Sequence, residues 1–194
     1  MNEERIRTII ADSITTKAYL LYNDKAIKQI ETCAQEIIRT LKRGGKILIC
    51  GNGGSASDSQ HFAAEIVGRF QKERRALAAI ALTTDTSILT SVSNDYAFDK
   101  VFQRQIESLG TSKDLLVAIS TSGKATNIIA AVKTAKKLKL KTIALTGKNG
   151  GDLAKLGDIS IIVPSNSTAR IQESHIMIIH ILCELIENAF LKDL

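Results

Sequence analysis

Residues 46–70, KILICGNGGSASDSQHFAAEIVGRF, place an apolar run, a turn rich in glycine and serine, and a helical segment in direct succession. The run at 46–50 has no alternation of apolar and polar residues, which is typical of a strand buried on both faces. Four more such runs follow, at 76–82, 115–119, 142–146 and 159–163. Helical segments separate most of them, near 57–69, 86–109 and 125–138, and a long one closes the chain from about 170 to 192. This alternation predicts a three-layer α/β fold, a doubly wound, five-stranded parallel sheet with helices on both faces.

The first 44 residues predict two amphipathic helices ahead of this alternation. One apolar stripe contains Ile6, Ile9, Ile10, Ile14, Leu20 and Leu21, and the next contains Ile27, Ile30, Cys33, Ile37 and Leu41. Asn23 and Asp24, which are good helix-capping residues, lie at the break between them. Since 194 residues suit one α/β domain, we expect a single domain, 1–194, with a helical pair at 1–44 added to an α/β core at 45–194.

The charge of the chain permits several kinds of partner. Lys and Arg number 26 against 20 Asp and Glu, a net charge of +6, which suits nucleic acid, a membrane surface or a small anionic substrate. The densest basic run, 133–142, interleaves lysine with alanine and leucine and is interpreted as a solvated helix face. Because aromatic residues for base stacking make up only 4% of the chain, we expect no nucleic acid partner.

The cysteines and the N-terminus predict a soluble, cytoplasmic protein. Cys33, Cys50 and Cys183 are widely separated in apolar segments, which indicates reduced core thiols rather than a disulfide framework or a metal-binding pair. The N-terminus is charged from its third residue, and no apolar run reaches the roughly 18 residues of a membrane span. We therefore expect no membrane partner.

Ligands of a doubly wound sheet bind beyond the carboxyl ends of its strands, so the chemistry is expected in three polar loops, GNGGSAS (51–57), STSGKAT (120–126) and TGKNGG (146–151). In the second loop, the hydroxyls of Ser120, Thr121 and Ser122 would converge with backbone N–H groups and a helix N-terminus on one small anion. Gly123 would permit a tight turn, and Lys124 would add charge. The same residue types would also make an ordinary helix N-cap, and the loop alone does not decide between the two.

The first loop fits a loose dinucleotide-binding pattern, G-x-G-x-x-A, at residues 51–56. The match is weak, because no acidic residue ends the second strand run as that fingerprint requires. Ser57 begins a capping-box pattern, which predicts a helix start near Asp58 and leaves Asn52 and Ser55 free to face a ligand.

Two pairs of polar residues stand out on helices. His61 and Glu65 are four residues apart, so they share one helix face about one turn below the first loop. A lone pair of this kind would be a solvated contact, but this one directly follows a candidate ligand loop. In the last helix, Gln172 and His180 interrupt an apolar pattern, although a satisfied core histidine is an alternative for His180.

Five long segments, in order, resemble the sugar isomerase (SIS) domain family. They are GKILICGNGGSASDSQHFAAEIVGRF (45–70), ALTTDTSILTSVSNDYAFDKVF (81–102), ISTSGKATN (119–127), ALTGKNGGDL (144–153) and ARIQESHIMIIHILCELIE (169–187). The resemblance covers nearly the whole chain and is closest to members that isomerise seven-carbon sugar phosphates. It implies a flavodoxin-like SIS fold and the conversion of sedoheptulose 7-phosphate to D-glycero-D-manno-heptose 7-phosphate, early in making the heptose of bacterial surface polysaccharide.

Carried over by motif, the resemblance implies roles for individual residues. The acid/base pair would be Glu65 and His180. The phosphate would be bound by Ser120, Thr121 and Ser122. The sugar would be lined by Asn52, Gly53, Ser55, Asp95 and Gln172, while Arg69 would meet substrate at a subunit interface. Members of the family are homotetramers whose sites combine neighbouring subunits, and some bind zinc through residues matching His61, Glu65, Gln172 and His180.

The chemistry of these residue types agrees with such a reaction. Moving a carbonyl between C1 and C2 requires a base for a carbon-bound proton and an acid for the oxygens, through an enediol. Glu65 would be the base and His180 would serve the oxygens or ring opening, although the sequence does not fix which group acts where. A metal at His61 and Glu65 would instead polarise the oxygens. Gln172 and His180 are about 12 Å apart along one helix, so a shared ion requires both side chains to reach toward it.

The phosphate loop departs from its relatives at one position. Related sequences often have a second serine, as in STSGNS or STSGKS, where this chain has Ala125. The loss of one hydroxyl predicts weaker phosphate binding unless Thr126 compensates.

A non-catalytic alternative also resembles part of the chain. One SIS relative is an adaptor that binds the bacterial replication-initiator protein through its tetrameric surface. That relative lacks the glutamate and the last-helix histidine of the isomerases. This chain has both, at Glu65 and His180, which favours the enzyme.

Overall fold

The structure, a computed structural model, describes residues 2–191 and contains a five-stranded parallel sheet. Its strands are β1 (Ile47–Gly51), β2 (Ala79–Ala81), β3 (Leu115–Ser120), β4 (Lys141–Gly147) and β5 (Ile159–Val163). Their order is β2-β1-β3-β4-β5, and all four neighbouring pairs are parallel. Because β2 lies on one side of β1 and β3 on the other, the connections leaving β1 and β3 diverge and open a crevice between them. The predicted doubly wound sheet is confirmed.

Eight α-helices and one short 3-10 helix accompany the sheet in residues 2–191. They are α1 (Glu3–Leu21), α2 (Asp24–Lys42), α3 (Gly54–Val67), α4 (Thr86–Asp95), the 3-10 helix (Phe98–Lys100), α5 (Val101–Leu109), α6 (Thr126–Lys137), α7 (Gly151–Leu156) and α8 (Thr168–Phe190). Asn23 caps α2 as predicted, since its Oδ1 accepts a hydrogen bond of 3.0 Å from the Ala26 N–H. The lysines of the basic run at 133–142 are all exposed, which agrees with a solvated face.

The core has two halves, one on each face of the sheet. Ile47 and Ile49 of β1 pack in a cluster with α2, α3 and α8, whereas Leu48 and Cys50 pack in a second cluster with α5, α6 and α7. Successive residues of a strand point to opposite faces, so an uninterrupted apolar run supplies both halves at once. The three predicted layers follow from this arrangement.

Three element boundaries differ from the prediction. The segment expected as one helix at 86–109 is divided into α4, the 3-10 helix and α5, because Ala97 takes an extended conformation after Tyr96. The strand expected at 76–82 is only three residues long, Ala79–Ala81. The short helix α7 was not predicted, because its six residues directly follow a glycine-rich segment that is typical of a loop.

The start of α3 was predicted wrongly. The helix begins at Gly54 rather than near Asp58, and its N-cap is Gly53, with no side-chain capping bond. Gly53 has φ +55°, which glycine adopts without strain, so the chain turns into the helix directly after the strand. Ser57 therefore lies inside the helix, and Ser55 is 3% exposed in the first turn.

The cysteines lie in the core as free thiols, as predicted. Burial raises the pKa of Cys33 and of Cys183 to about 12 and that of Cys50 further. Within residues 2–191, even the 23-residue α8 lacks the apolar character that a membrane-crossing helix requires, and the other helices fall short as well.

The two N-terminal helices differ in how they are covered. The predicted stripe of α2 is buried at Ile30, Cys33, Ile37 and Leu41. In contrast, α1 buries only Leu20 and exposes most of its stripe, with Ile10 at 54% and Ile14 at 61%.

Candidate active site

The crevice between the loops after β1 and β3 holds a cavity of about 330 Å³. Its walls come from both loops and from the first turns of α8. They are formed by Asn52, Gly53, Gly54, Ser55, Ile119, Ser120, Thr121, Ser122, Ala125, Thr168 and Gln172. Seven of the predicted substrate-binding residues are thus brought together here.

The hydroxyls of the STSG loop are available to a ligand. The N-cap of α6 is Ala125, which has no side-chain capping bond, so the serines and threonine of the loop do not cap the helix. Ser122 Oγ accepts a bond of 3.2 Å from the Lys124 N–H, while the hydroxyls of Ser120 and Thr121 have no partner within residues 2–191. The interpretation of this loop as an ordinary side-chain cap is therefore wrong.

The first loop is tied to the second by a pair of amides that the sequence did not reveal. Asn52 Nδ2 donates to Asn127 Oδ1 at 2.9 Å, and Asn127 Nδ2 donates back to Asn52 Oδ1 at 2.8 Å. Asn127 is buried in the first turn of α6 and also accepts from the Ile128 N–H. Asn52 consequently reaches the cavity with a fixed orientation. The one sequence signal for this contact is the position of Asn127, directly after the STSGKAT motif.

Gln172 packs against the start of α3. The Gln172 carboxamide occupies the space that a β-carbon at Gly54 would take, so the two residues approach each other closely. Gln172 therefore lies beside the first loop, in the cavity wall.

His61, Glu65 and His180 form a second group where α3 and α8 lie side by side. The Nε2 atoms of the two histidines are 3.0 Å apart, which requires one ring to carry a proton at that nitrogen. Glu65 Oε1 is 3.3 Å from the same His61 nitrogen. The Phe70 ring stacks beside His180, with centroids 5.6 Å apart. His180 is thus a partnered and partly exposed histidine, not a core residue.

The four residues predicted to bind zinc do not surround one point in a single chain. His61, Glu65 and His180 meet at the His61 nitrogen, but Gln172 lies against Gly54, about 10 Å back along α3. No group of three or more His, Cys, Asp or Glu side chains within residues 2–191 encloses a space suited to a metal. Imidazole nitrogen and carboxylate oxygen are nonetheless donors that zinc accepts, so the chemistry of the three clustered residues fits the ion.

Asp58 adds a carboxyl one turn before His61. Burial raises its pKa to about 6, and the nearby His61 partly opposes this shift. Its Oδ2 atom is buried without a hydrogen-bond partner within residues 2–191. No sequence pattern indicates this environment.

Two predicted substrate contacts lie away from the cavity. Arg69 is exposed in the loop after α3, where its Nε is 3.9 Å from Glu73 Oε2. Asp95 is exposed at the end of α4 and accepts a bond from the Asn94 amide. A single chain does not bring either residue to the other site residues.

Comparison with known proteins places these features in a family. The model of the SIS domain family matches residues 16–147. The chain is 57% identical over 162 residues to phosphoheptose isomerase 1 of Campylobacter jejuni, covering 84% of this chain and 87% of the relative. It is 49% identical over 186 residues to the phosphoheptose isomerase of Helicobacter pylori, covering 92% and 97%. The structure of the Neisseria gonorrhoeae phosphoheptose isomerase aligns with TM-score 0.90 and 46% identity, covering 96% of this chain and 98% of that one.

Proposed function

The chain belongs to the SIS domain family, among the phosphoheptose isomerases, and on this basis we propose that it converts sedoheptulose 7-phosphate to D-glycero-D-manno-heptose 7-phosphate. The observation that carries the proposal is the STSG loop, whose hydroxyls do not cap α6 and line the cavity in the crevice between the loops after β1 and β3. The alternative of a non-catalytic adaptor is not favoured, because the close relatives are named as isomerases.

The loop after β3 is assigned to the substrate phosphate. Ser120, Thr121 and Ser122 offer hydroxyl donors, and the N-terminus of the 12-residue α6 adds unpaired backbone N–H groups and a favourable dipole. Asn52, Gly53, Ser55 and Gln172 line the same cavity and are assigned to the sugar hydroxyls.

Proton transfer is assigned to Glu65 and His180. Isomerisation needs one group that moves a proton between C1 and C2 and another that serves the two oxygens. A carboxylate and an imidazole meet these needs, with Glu65 as the base. The contact between His61 and Glu65 would hold the carboxylate in one orientation.

We assign His61, Glu65 and His180 as the residues that would hold a zinc ion; the fourth predicted ligand, Gln172, would reach them only if its side chain left Gly54. A bound zinc would supply Lewis acidity toward the substrate oxygens. The support is the donor chemistry of the three residues and their mutual proximity.

A homotetramer with shared sites is also part of the proposal. The exposed stripe of α1 joins α2 and α8 in an apolar groove of about 410 Å³, lined by residues that include Ile14, Leu21, Ile27 and Ile181. Helix α4 buries none of its residues. A neighbouring subunit that covers these faces would also bring Arg69 and Asp95 toward a site.

We further propose that the enzyme acts in the cytoplasm, where three unpaired thiols stay reduced. Its product would supply heptose for surface polysaccharide.

The test is incubation of the pure protein with sedoheptulose 7-phosphate and detection of an aldoheptose phosphate. Glu65→Gln keeps the size of the side chain but cannot accept a proton, so kcat should fall roughly 10² to 10⁴-fold while inorganic phosphate still binds. The assay should be repeated after chelation and after zinc is restored. Absence of turnover under all conditions would contradict the proposed reaction. Unchanged activity after chelation would contradict the proposed role of zinc.

A further inference from the structure

We propose that Lys124 and Lys148 form a cationic subsite beside the STSG loop, which binds the charge of a phosphate dianion and makes the site selective for that form. The proposal deepens the proposed function and rests on it for the identity of the substrate. Neither lysine was assigned a role by the motifs, apart from the expectation that Lys124 adds charge to its loop.

A second cavity, of about 410 Å³, adjoins the one that contains the substrate-binding residues. It is lined by Ser122, Lys124, Lys148, Asn149 and Asn166, so the two cavities share Ser122. The lining residues are two lysines, two asparagines and a serine, with no acidic residue among them. Neither ammonium group has a hydrogen-bond or ion-pair partner within residues 2–191. Such a lining suits an anion.

The first cavity lacks a positive side chain. Its lining consists of neutral polar, glycine and apolar residues. A phosphate monoester carries a charge of about −1.5 to −2 at neutral pH, and hydroxyls or backbone N–H groups donate hydrogen bonds without cancelling that charge. Lys124 and Lys148 lie across Ser122 from this cavity, in the loops after β3 and β4. Their position therefore supplies the positive charge that the phosphate loop lacks.

The loop that carries Lys148 is fixed against the phosphate loop. A β-carbon at Gly123 would overlap the Gly150 carbonyl, so the two backbones are in contact, and the Leu153 N–H donates to the Gly123 carbonyl at 3.0 Å. Lys148 itself has φ +58°, a conformation that lysine rarely adopts, and its N–H donates to the Ser165 carbonyl at 3.2 Å. Because a non-glycine residue rarely adopts this conformation, the surrounding loop must hold the Lys148 backbone in place, and with it the direction of the Cα–Cβ bond.

The departure at Ala125 gives these lysines more importance in this chain. Ala125 lines the first cavity and contributes no hydroxyl. Thr126 lines a different cavity, together with Lys133 and Lys137, on the other side of α6. Thr126 therefore does not replace the missing donor, and the expectation that it compensates is not supported. Positive charge from Lys124 and Lys148 is the compensation that the structure offers.

The test compares Lys124→Met, Lys148→Met and the double variant with a control, Lys141→Met. Lys141 is exposed at the opposite end of β4, so the control makes the same change in net charge away from the crevice. We expect KM and the inhibition constant of inorganic phosphate to rise roughly 3-fold for each single variant and about 10-fold for the double variant, with kcat nearly unchanged. The control should match the wild type.

Selectivity for the dianion provides a second readout. For the wild type, phosphate binding should weaken as the pH falls through the second pKa of phosphate, about 6. The double variant should show a flatter dependence on pH and on salt, because the cations that discriminate between dianion and monoanion are gone. Equal phosphate affinity and equal pH dependence in the double variant and Lys141→Met would overturn the subsite.

Calorimetric titration with inorganic phosphate separates this proposal from the proposed reaction, because it needs no turnover. If the wild type fails to isomerise sedoheptulose 7-phosphate but its phosphate affinity depends on the two lysines, the subsite stands and the reaction is wrong. If the wild type is active and the lysine variants behave as the control does, the reaction stands and the subsite is wrong.

Discussion

His175 is a fully buried histidine in α8, close to the site but not part of it. Its Nε2 donates to the Thr146 carbonyl at 3.0 Å, while Nδ1 has no partner within residues 2–191. Burial lowers the pKa of this imidazole from 6.5 to about 4, partly opposed by the bond to Thr146. The folded protein therefore holds His175 in its neutral form.

This histidine should make the stability of the protein depend on pH. The unfolded chain takes up the proton near pH 6.5 and the folded chain only near pH 4, so the free energy of unfolding should decrease as the pH falls through that window. The loss attributable to His175 is up to about 3 kcal/mol. His175→Gln retains a donor for Thr146 but does not titrate. Urea unfolding at about pH 7 and about pH 5 should reveal a smaller pH effect in the variant, and an equal effect in both proteins would contradict the assignment.

A second residue-scale prediction concerns Ala125, whose backbone has the extended conformation of an N-cap but whose side chain cannot cap. Ala125→Ser should raise the free energy of unfolding by about 1 kcal/mol, because the hydroxyl can accept a bond from the first turn of α6. The same hydroxyl would line the cavity that we assign to the substrate phosphate, so inorganic phosphate should bind several-fold more tightly. The matched control is Ala130→Ser inside α6, which should destabilise the helix slightly. Weaker phosphate binding by Ala125→Ser would argue against a phosphate in this cavity.

At the scale of elements, the loop after α3 is held by a carboxylate from α8. Glu187 accepts bonds of 2.8, 2.9 and 2.8 Å from the N–H groups of Phe70, Gln71 and Lys72. Burial alone would raise the pKa of Glu187, but these donors, with Arg74 nearby, hold it below its usual value. Since Phe70 stacks beside His180, this contact connects the loop to the proposed acid/base pair.

Replacing Glu187 should therefore affect both stability and activity. Glu187→Gln removes the charge that three backbone donors share and leaves the buried Arg74 without its acidic neighbour, at a cost of roughly 3 kcal/mol. Turnover should also fall, because Phe70 loses its fixed position beside His180. Glu184→Gln, on an exposed turn of the same helix, is the control. Chemical denaturation and the isomerase assay measure the two effects, and a variant as stable as the control would show that the carboxylate is dispensable.

The sequence predicted elements well where local pattern decides them. The strand at 46–50 is apparent because every residue of β1 is buried, and Asn23 marks a helix start by its own side chain. The start of α3 was missed because a glycine conformation, not a capping side chain, turns the chain there. Asn127 and Lys148 were missed as site residues because their positions depend on contacts between loops that are distant in sequence. The roles of individual site residues came from family motifs. Pattern alone indicated only the three loops and two polar pairs, His61 with Glu65 and Gln172 with His180.

At the scale of the whole molecule, the exposed stripe of α1 predicts the state of assembly. Light scattering should report about four chains per particle. Ile14→Glu places a charge in the apolar groove and should reduce the particle to fewer chains, with loss of activity if sites are shared. Thr8→Glu, on the opposite face of α1, should leave the assembly intact. A wild-type protein that is monomeric and active would contradict both the assembly and the shared site.

The burial of all three cysteines makes the molecule convenient for site-specific labelling. Thiol reagents attack the thiolate, and a pKa of about 12 at Cys33 and Cys183 leaves almost none of it in the folded protein. A cysteine introduced on the surface, for example Lys141→Cys, would be modified by a spin label or fluorophore while the native thiols stay protected. Conversely, slow modification of the native thiols by such a reagent would report the rare openings of the core, without any introduced cysteine.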